Sequence, residues 1–294
     1  MIFKPQDLIH SPEFSDKSEV RFAVFGNPIA HSLSPIMQNA ALKECEKFCD
    51  SKYYAFEVDA EKLISVLDIF YEKNFLGINL TIPHKEVVVP ALKEIDISVM
   101  RAKACNTLLK IDGGWKGYNT DGFGLEYALE NFLDRKIQNS DIVLLGAGGA
   151  ARGAAFHILA NGCKSLSIAN RSQERLKKLV DDITSEGFKC NQMELSQNIE
   201  IPDNAIVINC TSIGLKDGEN SILDFSKVPK NIAFFDMPYR RGAETTSVEC
   251  ARANGIRAQS GLPMLAYQGA KSLSIWTNTN CTKAGKTMLK ALGL

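Results

Sequence analysis

No segment of this sequence approaches the roughly 18 uninterrupted apolar residues of a membrane-crossing helix, and the opening MIFKPQDLIHSPEFSDKSEV lacks the long apolar stretch of a secretory leader. An excess of charge is missing as well. Lys plus Arg and Asp plus Glu number 34 each, with no long run of one sign, so neither a nucleic-acid groove nor a polybasic membrane anchor is expected. The eight cysteines, at 45, 49, 105, 163, 190, 210, 250 and 281, include no CxxC pair, and no histidine stands at a zinc-finger spacing. Neither a disulfide framework nor a metal is therefore expected. Cys45 and Cys49 would share one side of a helix, but no third ligand is near, and they read as ordinary reduced thiols. Internal repeats and low-complexity tracts are absent too. These absences leave a cytoplasmic protein, monomer or homodimer, whose partner is a small molecule rather than nucleic acid or membrane.

What is present is the composition of a folded globular chain, 45% apolar and 23% charged over 294 residues, a length that suits two domains. Short β-rich runs alternate with helical periodicity: RFAVF (21 to 25), YYAFEV (53 to 58), LGINL (76 to 80), IVLL (142 to 145), LSIA (166 to 169), AIVIN (205 to 209) and IAFFD (232 to 236). Such alternation predicts an α/β fold of βαβ units with mainly parallel sheets. Residues 60 to 73 place Leu63, Val66, Leu67 and Phe70 on one helical face, to be laid against a sheet. The polar segment DRKIQNSD (134 to 141) precedes a new strand and a glycine turn, and the domain boundary is set near Gly122. After Gly261 a long helical stretch, MLAYQGAKSLSIWT, has no strand of its own and would return to the first domain.

The run IVLLGAGGAARGAAFHILA reads as strand, glycine turn and helix, with Gly146, Gly148 and Ala151 on the GxGxxG/A spacing. The first small residue permits the tight turn, the second lets backbone approach a pyrophosphate, and the third lets helix and strand pack closely. Residues Gly146, Ala147, Gly148, Gly149 and Ala150 would then hold phosphate at a helix N-terminus, where free N–H groups favour an anion. A glycine turn also serves ordinary packing; here the flanking strand and helix support the nucleotide reading. The next strand ends in Asn170-Arg171-Ser172, followed by Arg175, where an NAD site would carry an acid for the ribose 2′-hydroxyl. Guanidinium groups and short donors suit a 2′-phosphate instead, which selects NADP (NADPH), although the two arginines would also suit a solvated helix start.

Four clusters of short polar residues occupy turn positions in the first 125 residues: GNPIAHSLSP (26 to 35), NLTIPHK (79 to 85), ACNTL (104 to 108) and GYNTDGFG (117 to 124). Followed in order by GAGGAARG, NRS, INCTSIGL (208 to 215) and GLPMLAYQGA (261 to 270), from about Arg21 to about Trp276, they closely resemble the shikimate dehydrogenase family. The resemblance implies a substrate-binding domain (1–121, completed by 262–294) and a Rossmann-like NADP-binding domain (122–261). It implies NADPH-dependent, reversible reduction of 3-dehydroshikimate to shikimate, a step of aromatic amino acid biosynthesis. By the same resemblance Ser32 and Ser34 hold the substrate carboxylate with Thr81 and Tyr239 as helpers, and Asn79, Asn106 and Gln268 contact the ring hydroxyls and reacting carbonyl. Asn209, Thr211 and Met237 line the nicotinamide pocket, with Gly261 beside them. Lys85 and Asp121 are the catalytic pair. Lys85 would donate the proton and stabilise the developing alkoxide while Asp121 orients it; which of the two carries the transferred proton stays open, because such neighbours share protons.

The residue types support this independently, since a polyhydroxylated cyclohexene acid needs an anion site and several donors and acceptors, and a site built to satisfy hydroxyls rejects analogues lacking them. Other uses exist for single residues. Ser34 before Pro35 would suit a helix cap, Asn119 and Asp121 beside Gly122 would suit a turn, and Lys85 a surface charge after Pro83. His31 and His84 lie inside matching motifs and could give polar support, whereas His10 and His157 read as incidental. The chain departs from the family pattern in Ser172, where threonine is common; in Pro238 and Arg240-Arg241, which would reshape the loop bearing Met237 and Tyr239; and in Gly269, which would admit closer helix packing. Two other functions fit the same residues: a dual quinate/shikimate dehydrogenase using NAD or NADP, and a non-catalytic sensor of shikimate or NADP.

Overall fold

The β-rich runs become strands because branched and aromatic side chains pack well on pleated surfaces that are buried on both faces. The structure is a computed structural model describing every residue except 17, 197, 198 and 215–217. Contacts divide the chain into two units, one formed by Met1–Thr120 with Leu265–Leu294 and the other by Asp121–Met264. Among the described residues no helix is long and apolar enough to cross a membrane.

In the first unit the strands are β1 (Ile2–Phe3), β2 (Arg21–Gly26), β3 (Lys52–Glu57), β4 (Phe75–Leu80), β5 (Glu94–Ile95), β6 (Thr107–Ile111) and β7 (Gly114–Tyr118), ordered β1-β3-β2-β4-β6-β7-β5. Pairing is parallel except where β6 meets β4 and β7. This antiparallel hairpin is an addition to the expected parallel sheet. Its turn is Asp112-Gly113, flanked by the paired Ile111 and Gly114, with Gly113 at φ +68°; only glycine enters that region without strain.

One face of this sheet is covered by the helix Leu63–Glu72, whose Leu63, Val66, Leu67 and Phe70 are all buried, as their spacing predicts. Phe70 meets Phe25 edge-on at 4.6 Å and Phe56 at 4.7 Å, an arrangement favoured by the ring quadrupoles. The helix Leu262–Thr277, followed by the last helix Cys281–Ala291, reaches other strand residues of the unit. Its Trp276 stacks on Phe22 at 5.2 Å and donates its indole N–H to the Leu108 carbonyl at 2.8 Å. Gly269 lies against the helix Ser34–Leu42: Gln38 Nε2 donates to its carbonyl at 3.0 Å, and a Cβ there would press on the Met37 methyl at 2.5 Å. The glycine that departs from the family pattern thus does admit close helix packing.

The second unit holds β8 (Asp141–Leu145), β9 (Ser165–Asn170), β10 (Asn191–Glu194), β11 (Ile206–Asn209), β12 (Ala233–Asp236) and β13 (Arg257–Ser260), all parallel, in the order β10-β9-β8-β11-β12-β13. Alternate residues enter separate cores because side chains in a strand point to opposite faces. Ile142, Leu144, Ile206, Ile208 and Phe235 pack with the helices Asp121–Phe132, Gly149–Ala160 and Gln173–Ser185, whereas Val143, Leu145, Val207 and Phe234 pack with the helix Thr246–Ala253. His157 has a packing role in this unit. Its Nε2 lies 2.8 Å from Glu126 Oε2, and its ring occupies the space that a side chain at Gly122 would fill.

Candidate functional site

In an open parallel sheet, ligands bind outside the carboxyl ends of the strands. In the second unit that edge is a register row: Leu145 pairs with Ala169 and Asn209, Asn209 with Asp236, and Asp236 with Ser260. The predicted cofactor residues Gly146, Asn170, Asn209, Met237 and Gly261 stand in this row or one residue beyond it.

Each glycine has a local reason. Gly146 has φ +117°, and a Cβ there would sit 3.1 Å from the Thr211 methyl and 3.3 Å from the Cys210 carbonyl carbon. Gly148 is the opposite case, since nothing lies within 4 Å of where its Cβ would stand. A glycine that packing does not require, at the N-cap of Gly149–Ala160 with no side-chain cap, leaves the first N–H groups of the helix exposed to an incoming anion. Ala147 is half-buried, Gly149 and Ala150 are exposed, and Ala151 is fully buried against the sheet, as close helix-strand packing requires. At Gly261 a side chain would overlap the Met237 carbonyl oxygen, and the Gly261 N–H donates to the Pro238 carbonyl at 3.1 Å.

After β9, Asn170 Nδ2 donates to the Ser172 carbonyl at 2.8 Å, and the Ser172 hydroxyl caps Gln173–Ser185 by accepting from Arg175 N–H at 3.4 Å. Those two polar side chains therefore shape the turn. Arg171 and Arg175 are both exposed at it. The glycine cradle, the uncapped helix start and this arginine turn fit the pyrophosphate and 2′-phosphate of NADP.

Beside the glycine turn, Asn209 is fully buried. Its Oδ1 accepts from Thr211 N–H at 2.9 Å and from Thr211 Oγ1 at 2.8 Å, while Nδ2 donates to Asp236 Oδ1 at 2.7 Å and to the Ile213 carbonyl at 3.3 Å. Met237 N–H donates to the Asn209 carbonyl at 2.9 Å, and Tyr239 is a phenol whose pKa burial raises. The last residue of the INCTSIGL block, Leu215, lies outside the described residues.

Asp236 was not among the expected site residues. Its signal is an acid that ends an otherwise apolar run. Burial raises its pKa to about 6, against the opposing hydrogen bonds from Thr245 and Asn209. The folded state therefore holds this proton more tightly than the unfolded chain, and the stabilisation it brings is complete below about pH 4 and lost as pH rises through about 6. Relative to Asp236→Asn, which does not titrate, wild-type unfolding free energy should fall by on the order of 2 kcal/mol across that window in urea titrations. A parallel pH dependence in the two proteins would show that Asp236 is not the group responsible.

In the first unit, the polar clusters come together on side chains from strands and the helix Leu262–Thr277. Asn79 accepts from Tyr53 OH at 2.8 Å and donates to the Asn106 carbonyl at 3.0 Å, Thr107 Oγ1 at 3.1 Å and Ser272 Oγ at 3.0 Å. Asn106 donates to Thr120 Oγ1 at 2.9 Å and Gln268 Oε1 at 3.3 Å, and its Oδ1 accepts from Thr107 Oγ1 and Thr120 N–H. Burial raises the pKa of Tyr53 well above its ordinary value, with the Ser34 hydroxyl working the other way, so Tyr53 stays a neutral donor. Thr107 and Thr120 belong to the ACNTL and GYNTDGFG blocks, and Ser272 follows Gln268 by one helical turn. That i, i+4 relation is the signal that would have found it.

Ser32 Oγ accepts from Ser34 N–H at 3.3 Å, and the residue flanking Ser34–Leu42 is Leu33, without a side-chain cap. The alternative use of Ser34 as the cap is thus corrected: the helix begins at Ser34 itself. Thr81 donates its N–H to the Phe25 carbonyl at 2.9 Å and rests its methyl against Gly26. Lys85, half-buried on the one-turn helix His84–Val87, is fixed through its carbonyl, which accepts from Cys105 N–H at 2.7 Å. His84 is buried and its pKa lowered by that burial, so it fills space as a neutral ring. Asp121 is not a turn residue but opens the helix Asp121–Phe132, directly after the buried Thr120, while Asn119 Nδ2 donates to the Ala104 carbonyl at 2.9 Å.

Comparison with known proteins gives two family matches, the shikimate dehydrogenase substrate-binding domain over residues 24–108 and shikimate / quinate 5-dehydrogenase over 126–238. Shikimate dehydrogenase (NADP(+)) of Staphylococcus aureus is 36% identical over 263 residues, covering 88% of this chain and 93% of its own. Among solved structures, shikimate 5-dehydrogenase of Thermus thermophilus in complex with NADP(H) and shikimate aligns with a TM-score of 0.79 at 32% identity, covering 92% of this chain and 99% of that one. The ligand-free 5-ketofructose reductase of Gluconobacter sp. aligns with a TM-score of 0.82 at 25% identity, covering 92% and 98%. Similarity at this level along nearly the whole sequence means that the chain belongs to the shikimate dehydrogenase family.

Proposed function

We propose that this chain is an NADP-dependent oxidoreductase that interconverts 3-dehydroshikimate and shikimate in the cytoplasm, on the route to chorismate and the aromatic amino acids. The observation that carries the substrate half is the hydroxyl-and-amide array of Tyr53, Asn79, Asn106, Thr107, Thr120, Gln268 and Ser272 in a chain of this family. Such an array is rigid, and it matches a ring carrying several hydroxyls better than an apolar ligand. Ser32, Ser34, Thr81 and Tyr239 take the carboxylate. NADPH, when bound, supplies the hydride. Lys85 gives a proton to the carbonyl oxygen as charge develops there and stabilises that charge. Asp121 orients the ammonium and accepts from a ring hydroxyl. Gly146 to Ala150 hold the pyrophosphate, and Asn209, Thr211, Met237 and Gly261 receive the nicotinamide.

The direct test follows NADPH absorbance with dehydroshikimate, and its reversal with shikimate or quinate and each oxidised cofactor. No consumption of NADPH by a protein that binds shikimate would replace the enzyme with a sensor, and comparable rates with quinate or NAD would replace it with the dual enzyme. The arginine turn makes a sharper prediction. Arg171→Ala removes one guanidinium from the 2′-phosphate and should raise KM for NADPH by ~10-fold or more while KM for NADH stays within about twofold. Equal losses with the two cofactors would show that the 2′-phosphate lies elsewhere.

A further inference from the structure

At the carboxyl edge of the second sheet lies a carboxylate that the proposed chemistry does not use. Asp236 has no exposed surface, and among the described residues no ion pair reaches it. Its two oxygens are spoken for: Oδ1 accepts from Asn209 Nδ2 at 2.7 Å, and Oδ2 accepts from the Thr245 hydroxyl. Thr245 in turn caps the helix Thr246–Ala253 by accepting from Val248 N–H at 3.4 Å. The loop that leaves Asn209 comes back to the same helix start, where Gly214, at φ +90°, lies so close to Ser247 that a Cβ would stand 3.2 Å from its hydroxyl.

A primary amide is ambiguous, because its oxygen and nitrogen can exchange places. A carboxylate is not, since it only accepts. Facing Asp236, Asn209 must present Nδ2, which leaves Oδ1 for the N–H and hydroxyl of Thr211. The buried carboxylate, the Thr211 N–H and the Ile213 carbonyl all demand the same orientation of this amide, and together they hold residues 209 to 211 beside the glycine turn, whose Gly146 is packed against Cys210 and Thr211. An asparagine at 236 would fill the same volume but would replace a charge-assisted bond to the facing amide by a weaker neutral one.

We propose that Asp236 is a positioning residue of the cofactor site, anchoring the Asn209 amide and through it the Thr211 loop that receives the nicotinamide end of NADPH. This rests on the cofactor reading above and extends it from residues that touch the ligand to one that acts through them.

The test compares two ligands by fluorescence and calorimetric titration: NADPH, and adenosine 2′,5′-bisphosphate, which has the adenosine end and no nicotinamide. Asp236→Asn should weaken NADPH by ~10-fold or more and adenosine 2′,5′-bisphosphate by no more than about twofold, since only the nicotinamide end depends on the loop. Thr245→Ser keeps the hydroxyl from which Asp236 Oδ2 accepts and should leave both affinities within about twofold of wild type. Equal weakening of both ligands by Asp236→Asn, or an NADPH affinity that it leaves unchanged, would overturn the proposal. A wild-type chain that binds NADPH but turns over no dehydroshikimate sinks the catalytic reading and leaves this one intact.

Discussion

Lys85→Ala is expected to lower kcat by ~10² or more while KM for dehydroshikimate changes by less than ~3-fold. The reasoning starts from when the charge appears. The ketone oxygen is neutral in the ground state and becomes anionic as hydride arrives, so an ammonium beside it is worth most in the transition state, and an effect of ~10² corresponds to about 2.7 kcal/mol there. The short helix His84–Val87 would survive the change, because what fixes Lys85 is its carbonyl, bonded to Cys105 N–H, and that contact is backbone to backbone. Lys85→Arg separates charge from proton transfer. A guanidinium keeps the positive charge but does not give up its proton at any working pH, so this variant should also be slow in the step that needs a proton. Steady-state kinetics on both variants, with melting curves to show that each is folded, make the comparison. Turnover within threefold of wild type in the alanine variant would remove Lys85 from the chemistry.

Much of this architecture was legible before any coordinates. The runs RFAVF, YYAFEV, LGINL, IVLL, LSIA, AIVIN and IAFFD all form strands, because a strand buried on both faces is written as a continuous apolar run. The strands that escaped notice lack such a run. β13 reads RAQS and β10 reads NQME, edge strands with exposed residues, and the β6-β7 hairpin announces itself by Asp112-Gly113 rather than by its composition. The site divides in the same way. Glycines with a backbone task show in their spacing, and the amides and hydroxyls of the first unit show in the order of their motifs. Asp236, an acid ending an apolar run, and Ser272, one turn after Gln268, show more faintly, because each owes its role to a partner far away in sequence: Asp236 to Asn209 on the next strand, Ser272 to Asn79 across the sheet-helix interface. The likeness to a 5-ketofructose reductase makes the same point from outside, since one fold there carries a different ketone.

Gly77→Ala is expected to cost ~3 kcal/mol of stability, near the upper end of what overpacking a core produces, and to raise KM for the substrate as well. At Gly77 a Cβ would overlap the ring-fusion carbons and the nitrogen of the Trp276 indole. The ring would have to withdraw, giving up its bond to the Leu108 carbonyl and its stacking on Phe22. The damage should reach the polar array for a geometric reason. Gly77 and Asn79 are two residues apart on β4 and face the same side, about 6.6 Å apart along the strand; Trp276 and Ser272 are four apart on the helix, about 6 Å along its axis. The two spacings nearly match, so the helix lays Trp276 over Gly77 and Ser272 onto Asn79 Nδ2 at once, and lifting one end strains the other. Trp276→Leu alone should cost a similar ~3 kcal/mol by leaving a void, but joined to Gly77→Ala it makes room for the new methyl, so the double variant should lose clearly less than the sum. Urea denaturation of the three proteins measures this directly. Strictly additive losses would mean that Gly77 and Trp276 are not in the contact that docks the helix Leu262–Thr277.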